Sequence, residues 1–370
     1  MATTDACLQE TPQLPTPLLV TGGAGFIGSH FVEHMLLMHP ALRIVVLDKL
    51  TYAGRKENLA DVEAEPSLAK RLRFVHGDIA DRALVGELLK KEHIAAVVNF
   101  AAETHVDRSL HEAIDFLNTD VVGVYQLLVA ARQHNVSRFV QVSTDEVYGS
   151  VESGASKESD PMEPRSPYSA SKAAADLMAL AFFTSYGMHV SITRGSNTYG
   201  PRQFPEKLIP LFITNALEDR PLPLYGDGKN VRDWLHVRDH CRGIEAVLMR
   251  GEAGSIYNIG GDCGKTNLEV TEAILNIIGK PTALIRFVQD RPGHDRRYAL
   301  DTSRARRLGF QPQTNFELGL RQTVLWYRDN VDWWKSVIHQ DKDFRAYYER
   351  QYGNRLRNGV EALAESGHGE

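Results

Sequence analysis

A glycine-rich loop set between a short apolar strand and an apolar helix restricts the fold of this chain more than any other stretch. Leu18-Leu19-Val20 reads as a buried strand, Thr21 to Gly28 (TGGAGFIG) follows it, and the periodicity predicts a helix from Ser29 to about Met38. Gly22, Gly25 and Gly28 recur at every third position. That spacing suits a tight turn, a backbone that a pyrophosphate can approach closely, and a helix N-terminus whose free N–H groups meet the anion. A second strand, Arg43 to Leu47, ends in Asp48, about 20 residues beyond Gly28. A carboxylate there accepts from both hydroxyls of an adenosine ribose and repels a 2′-phosphate, so the loop reads as a dinucleotide site that favours NAD over NADP.

The same alternation continues. Strands are predicted at Leu72–His76, with Gly77-Asp78-Ile79 at its end, at Ala96–Phe100, at Phe139–Val142 and at Val190–Arg194. Helices fall between them at Arg82–Glu92, Glu112–His134 and Pro167–Tyr186. This order specifies an α/β fold with a doubly wound parallel Rossmann sheet, spanning residues 17–195, to which 231–262 returns. Beyond Arg194 come short strands and turns punctuated by Pro201, Pro205, Pro210, Pro221 and Pro223. Residues 196–230 and 263–335 are therefore assigned to a smaller C-terminal α/β substrate domain. Residues 1–16 are read as a disordered leader and 336–370 as a tail. The two long helices are apolar beyond one stripe, so an exposed face is available to a second copy and a homodimer is expected.

A net charge of −5 argues against a general nucleic-acid binder. No apolar run approaches the roughly 20 residues of a membrane span, no signal pattern opens the chain, and a cytoplasmic location is the default. Cys7, Cys241 and Cys263 are too widely spaced for a metal or redox motif. His30/His34 and His236/His240 have helical spacing but no third ligand nearby, so no metal is expected.

The chemistry gathers between Val140 and Ala173. Here Asp145 and Glu146 follow a strand end, where sites form in open α/β sheets, and Tyr168 and Lys172 lie one turn apart on a helix begun by Ser166-Pro167. A phenol with a pKa of about 10 is a poor base at neutral pH, and an ammonium beside it is expected to lower that value. Each feature has a plainer explanation. With 13 tyrosines a Tyr-x-x-x-Lys arises readily by chance, and an Asp-Glu pair is most often a solvated loop face. The arginine-rich run Asp290 to Arg307 is likewise either a mixed-charge surface or a contact to a nucleotide diphosphate.

Taken together, the glycine loop, the Tyr168/Lys172 pair and the small second domain resemble the extended short-chain dehydrogenase/reductase family. Leu47–Gly54 (LDKLTYAG), Ala101–Ser109 (AAETHVDRS), Ser143–Gly149 (STDEVYG), Phe204–Pro210 (FPEKLIP) and Asp290–Asp295 (DRPGHD) resemble its dTDP-glucose 4,6-dehydratase branch. The likeness covers about Pro17 to Trp334. It implies tightly held NAD, a base in Tyr168 helped by Lys172, a hydroxyl-orienting Thr144, an acid in Asp145 and a base in Glu146. By position it implies a cofactor site of Gly22, Gly25, Phe26, Ile27, Gly28, Asp48, Lys49, Leu50, Thr51, Asp78, Ile79, Phe100, Ala101, Ala102, Glu103, Thr104, Thr119, Tyr168, Lys172 and Thr198. The sugar-nucleotide site implied is Thr104, Thr144, Asn197, Lys207, Leu208, Ile209, Pro210, Leu211, Phe212, Pro223, Leu224, Tyr225, Arg232, Asn267, Asp290, Arg291, Pro292, Gly293 and His294. Arg202 departs from the pattern, standing where the branch often has an aromatic and related decarboxylases an arginine. A UDP-sugar 4-epimerase or decarboxylase is the alternative on the same scaffold, and a non-catalytic NAD-binding regulator the alternative of another class.

Overall fold

The computed structural model describes residues 14–356, so most of the expected leader and the last part of the expected tail lie outside the described residues. The chain lays down strands β1 (Leu18–Thr21), β2 (Ile44–Asp48), β3 (Leu72–His76), β4 (Ala96–Asn99), β5 (Arg138–Thr144), β6 (Val190–Gly195), β7 (Asn197–Tyr199), β8 (Leu222–Tyr225), β9 (Val231–His236), β10 (Ser255–Ile259), β11 (Gly264–Thr266) and β12 (Ile285–Val288). Seven of them form one parallel sheet in the order β10-β6-β5-β4-β1-β2-β3. The order reverses between β1 and β4, which opens a crevice at the carboxyl ends of those strands. Central strands such as β1, β2 and β4 are buried throughout, as a sheet covered on both faces requires.

Each face has its own core. Phe31, Val32, Met35 and Leu36 of the helix Phe26–Met38 pack with Ile244, Val247 and Leu248 of Val237–Arg250 on one side. Leu88, Leu127, Leu128, Ala175 and Ala179, from the helices Arg82–Lys91, Val124–Gln133 and Pro167–Tyr186, fill the other. A third cluster, with Tyr199, Phe212, Leu224, Trp234 and Leu275, builds the smaller layer around the three-stranded sheet β11-β9-β7 and the pair β12-β8. Thus 237–259 returns to the main sheet, whereas β9 stays with the small one.

Three elements differ from expectation. The first helix begins at Phe26 because Gly25, extended at φ −76° and ψ 179°, caps it, and this turns the first-turn N–H groups toward the crevice. The expected helix from Glu112 is divided. Val106–His111 forms a short helix, Glu112 is extended (φ −150°), and Ile114–Gln133 follows with a π-turn over Leu117–Gly123. The π-turn rotates Asp120 into the interior, where Ser171 Oγ donates to it at 2.7 Å and the Glu103 N–H at 3.0 Å. By length and a mean hydropathy of 1.3 Ile114–Gln133 would suffice to cross a membrane, yet Asp115, Asn118 and Asp120 interrupt its apolar residues and 44% of it is buried within the protein. Finally, residues 336–356 do not trail away. Val337, Ile338, Phe344 and Tyr352 are buried in the third cluster, since aromatics at helical spacing give this segment an apolar face.

Candidate active site

A cleft of about 280 Å³ opens where the carboxyl edge of the large sheet meets the small layer. Its floor is the glycine loop. Gly22 has φ +65°, and a Cβ there would lie 2.6 Å from the Ala101 nitrogen across the crevice. A Cβ on Gly28 would lie 2.3 Å from the Gly22 carbonyl oxygen, so both positions admit only glycine. Asp48, buried at the end of β2, accepts from the N–H groups of Ala24 and Leu50, both at 2.8 Å. Lys49 pairs with Asp78 at 2.7 Å on the same wall.

Of the expected cofactor residues all but Leu50 line this cleft. Leu50 instead supplies its N–H to Asp48 in a left-handed turn (φ +53°). A backbone cradle, helix N–H groups and a carboxylate at the strand end fit a nicotinamide dinucleotide, with Asp48 at its ribose end and Ala101, Ala102 and Thr144 along the way to Tyr168.

The chemical end is built by β5 and the helix after it. β5 runs to Thr144, and Asp145–Tyr148 turns as a 3-10 helix from its end. Ser166 caps the helix Pro167–Tyr186 in a capping box with Ser169, which fixes where Tyr168 and Lys172 emerge. Both line the cleft beside Thr144, Asp145 and Glu146. Lys172 Nζ donates to the Val142 carbonyl at 2.9 Å. The expected lowering of the Tyr168 phenol is not what the protein alone provides. Burial pushes it well up, Glu146 and Asp120 add to this, and only the Thr144 hydroxyl leads in the other direction.

The two carboxyls differ in surroundings. Asp145 is buried, its Oδ1 receives the Thr144 hydroxyl at 3.3 Å, and its Oδ2 has no partner among the described residues. Burial raises its pKa well above the ordinary carboxyl range, and the charges of Glu146 and Asp233 raise it further. Burial also raises Glu146, but three cations, Arg291, Lys207 and Arg232, oppose it. Both carboxyls are thereby raised, Asp145 the more strongly because like charges add to its burial, whereas the cations around Glu146 hold its rise back.

The expected sugar-nucleotide residues divide. Thr104, Thr144, Asn197 and Lys207 line the cleft, with Lys207 Nζ bonded to the Thr104 carbonyl. Ile209, Pro210, Leu211, Phe212 and Leu224 are buried, Leu208 packs against the third cluster, and none of the six lines the cleft. The helix Leu208–Leu217 presents only its cap, Lys207, and turns its apolar side inward. Arg232 and Arg291 act on Glu146 from behind the cleft wall, Arg291 being held by Asp107 at 2.7 Å. Tyr225 bonds Asp107, His294 bonds Asp290, Asn267 heads the helix Asn267–Ile278, and Pro223, Pro292 and Gly293 lie on the adjoining strand and loop. Of the arginines in the run Asp290 to Arg307, Arg291 is the one set toward Glu146; Arg296 and Arg306 pair with Asp227 and Asp262 on the surface. Arg202 is turned away, pairing with Glu33 and donating to the Asn58 carbonyl at 2.6 Å.

Sequence reasoning missed Ser143, Ser196, Gln203, Phe204, Glu206 and His240, all on the cleft wall. Ser196 follows the end of β6, and the strand-end rule that found Asp145 could have found it. His240 lies 2.8 Å from the Thr198 hydroxyl through Nδ1, and burial lowers it to about 4. His34 and His39 meet Glu245 at 2.7 Å each, and His30 bonds the Phe26 carbonyl.

Such a cleft is that of the extended short-chain dehydrogenases/reductases, the class in which the fold and the Tyr168/Lys172 turn place this chain. The family model for GDP-mannose 4,6 dehydratase matches residues 19–323. A dTDP-glucose 4,6-dehydratase of an Actinoplanes species is 51% identical over 323 residues, covering 86% of this chain and 99% of that protein. DesIV, the dTDP-glucose 4,6-dehydratase of Streptomyces venezuelae solved with NAD and dTDP bound, is 54% identical at a TM-score of 0.84, covering 87% of this chain and 99% of that one. The UDP-glucose 4-epimerase of Thermus thermophilus, solved with NAD, is more distant at 33% identity and a TM-score of 0.78, covering 85% of this chain and 99% of that one. Within its class, the chain belongs to the dTDP-glucose 4,6-dehydratase family.

Proposed function

We propose that this chain is a carbon–oxygen lyase that converts dTDP-glucose to dTDP-4-keto-6-deoxyglucose with NAD, working in the cytoplasm as a homodimer. The observation that carries the reading is the unequal electrostatics of Asp145 and Glu146, the first raised by burial and like charge, the second held back from that rise by three cations. Loss of water across carbons 5 and 6 needs one acid and one base at neighbouring carbons, and these residues meet that need from consecutive positions. Held by the glycine loop, Asp48 and the strand ends lining the cleft, NAD would supply the hydride acceptor for oxidation at carbon 4 and the donor for reduction at carbon 6.

The residues supply the proton chemistry. Tyr168 takes the proton of the 4-hydroxyl, which Thr144 orients, and the 4-ketone acidifies carbon 5. Glu146 removes the carbon 5 proton while Asp145 protonates the 6-hydroxyl, which leaves as water. Lys172, whose Nζ is fixed by the Val142 carbonyl one helical turn from Tyr168, is the ammonium that assists the phenol. An epimerase or decarboxylase would use Tyr168 and Lys172 yet has no need of the acid–base pair. Arg202, buried and engaged by Glu33 and the Asn58 carbonyl, is not free to serve as the arginine that pointed to a decarboxylase. Exposed Ile114, Leu117, Val122 and Tyr125, beside exposed Leu177 and Tyr186 on the neighbouring helix, supply an apolar face for the second copy.

The test separates the two halves of the reaction. Tyr168→Phe abolishes both. Glu146→Gln still forms enzyme-bound NADH, seen by absorbance, but loses exchange of the carbon 5 proton with solvent and gives no dehydrated product. Asp145→Asn lowers turnover by roughly 10²- to 10⁴-fold. Near wild-type rates for both carboxyl variants would make the pair bystanders and leave an epimerase as the better reading.

A further inference from the structure

The segment after residue 336 falls outside every motif that carries the family likeness, yet it reaches the site. Gln351 is buried in the helical turn Glu349–Gly353. Its Nε2 donates to Asp107 Oδ2 at 2.9 Å and to the Tyr225 hydroxyl at 2.5 Å, and its Oε1 lies 3.1 Å from His111 Nε2. The amide thus uses both hydrogens and its oxygen. Asp107 is itself a buried hub. Its Oδ2 also accepts from Tyr225 at 2.9 Å, and its Oδ1 accepts from Arg291 Nη1 at 2.7 Å. Tyr352 stacks on Tyr225 with ring centroids 5.9 Å apart, and Arg355 donates to the same hydroxyl at 3.0 Å.

We propose that Gln351 is a positioning residue for the sugar-nucleotide site, fixing Asp107 and through it Arg291, the guanidinium set against Glu146. This rests on the function proposed above. The residue type fits the task. A buried carboxylate with unfilled lone pairs is costly, and a neutral amide fills those of Oδ2 without competing with Arg291 for Oδ1. A lysine or arginine at 351 would draw Asp107 away, and an aliphatic residue would leave it free to turn. Arg291 stands first among the charges that hold Glu146 toward its ionised form. The groups facing Glu146 are Arg291, Lys207, Arg232, Asp295, Asp145, Tyr168 and Tyr298. Of these Arg291 alone is tied, through Asp107, to the C-terminal segment.

Gln351→Leu keeps the size and removes the hydrogen bonds. The full-length variant and wild type are compared for conversion of dTDP-glucose, for dTDP affinity by calorimetry, for NAD content and for the pH dependence of kcat. The expected result is a KM for dTDP-glucose and a Kd for dTDP raised about tenfold, NAD content unchanged, and the acid limb of the kcat profile moved to higher pH. The limb moves because Glu146, less strongly held by Arg291, ionises later. A merely structural role would lower the active fraction and leave the limb where it was. Asp107→Asn should reproduce the shift, and the double variant should add little to either single one. It also answers the question if Gln351→Leu does not fold. Wild-type KM, Kd and acid limb in folded Gln351→Leu, or in Asp107→Asn, would overturn the proposal. If wild type failed to convert dTDP-glucose but bound dTDP more tightly than Gln351→Leu, the proposed reaction would fall and the positioning role would stand.

Discussion

Asp48 and Glu103 show at the scale of single residues how the cleft handles charge. The buried Asp48 carboxylate is fixed by two backbone N–H groups and meets a ribose 2′-phosphate with like charge. NAD is therefore expected to bind at least about tenfold more tightly than NADP, an energy of about 1.4 kcal/mol. Titration of Asp48→Ala should find that ratio narrowed, and equal affinities in wild type would remove the argument. Glu103 is raised from 4.5 to about 7 by burial and by the nearby charges of Asp120 and Asp115. A carboxyl raised in the folded state favours folding fully below its unfolded pKa, and that benefit is lost as pH climbs through the folded value. Glu103→Gln should thus gain thermal stability over wild type on going from pH 5 to pH 8, by about 2–3 kcal/mol. A stability difference independent of pH would show that the carboxyl is not held neutral. Asp48, Asp145 and Glu146 were legible in the sequence because they stand at strand ends, where the fold dictates function. Asp120, Asp107 and Gln351 were not, since a polar residue in a helix acquires its meaning only from what tertiary packing sets against it. The phenol of Tyr168 was misjudged for a related reason: spacing places Lys172 nearby but says nothing of burial or of Glu146.

Elements were legible in proportion to the strength of their local signals. Pro167–Tyr186 appears with its expected bounds, because Ser166, Pro167 and Gly187 mark both ends. Residues 106–133 lack such marks, and the break at Glu112 and the π-turn depend on the packing of Asp120 and Gly123 beneath β-strand ends and Ile79. The same stretch carries the exposed apolar face, and a helix with core on one side and a partner on the other reads as apolar all round. In sedimentation equilibrium the wild-type chain is expected to sediment as a dimer and Leu117→Glu combined with Leu177→Glu as a monomer, with the far-ultraviolet spectrum unchanged. An unchanged dimer would place the interface elsewhere. The aromatic spacing of 333–352 was a usable helical signal, and only its position beyond the family motifs led to its being read as a tail.

Across the whole molecule, function arises where two cores meet. The large sheet delivers the glycine loop, Asp48 and the Thr144–Glu146 turn at its carboxyl edge, and the small layer delivers Lys207, Arg232 and Arg291 from the opposite side. Neither half holds the cations and the carboxyl pair together, so the acid–base division between Asp145 and Glu146 is a property of the assembled chain. Alternation of strands and helices disclosed the first half; the second, made of short strands and long connections, was legible mainly through its likeness to known relatives. A single bound sugar nucleotide is expected to be oxidised, dehydrated and reduced without exchanging its hydride with solvent. The direct measurement is turnover of dTDP-glucose deuterated at carbon 4, with mass and magnetic resonance analysis of the product. The account predicts a product lighter by one water, with the deuterium at carbon 6 and a solvent hydrogen at carbon 5. Deuterium retained at carbon 4 of an undehydrated hexose, or lost to solvent, would contradict it.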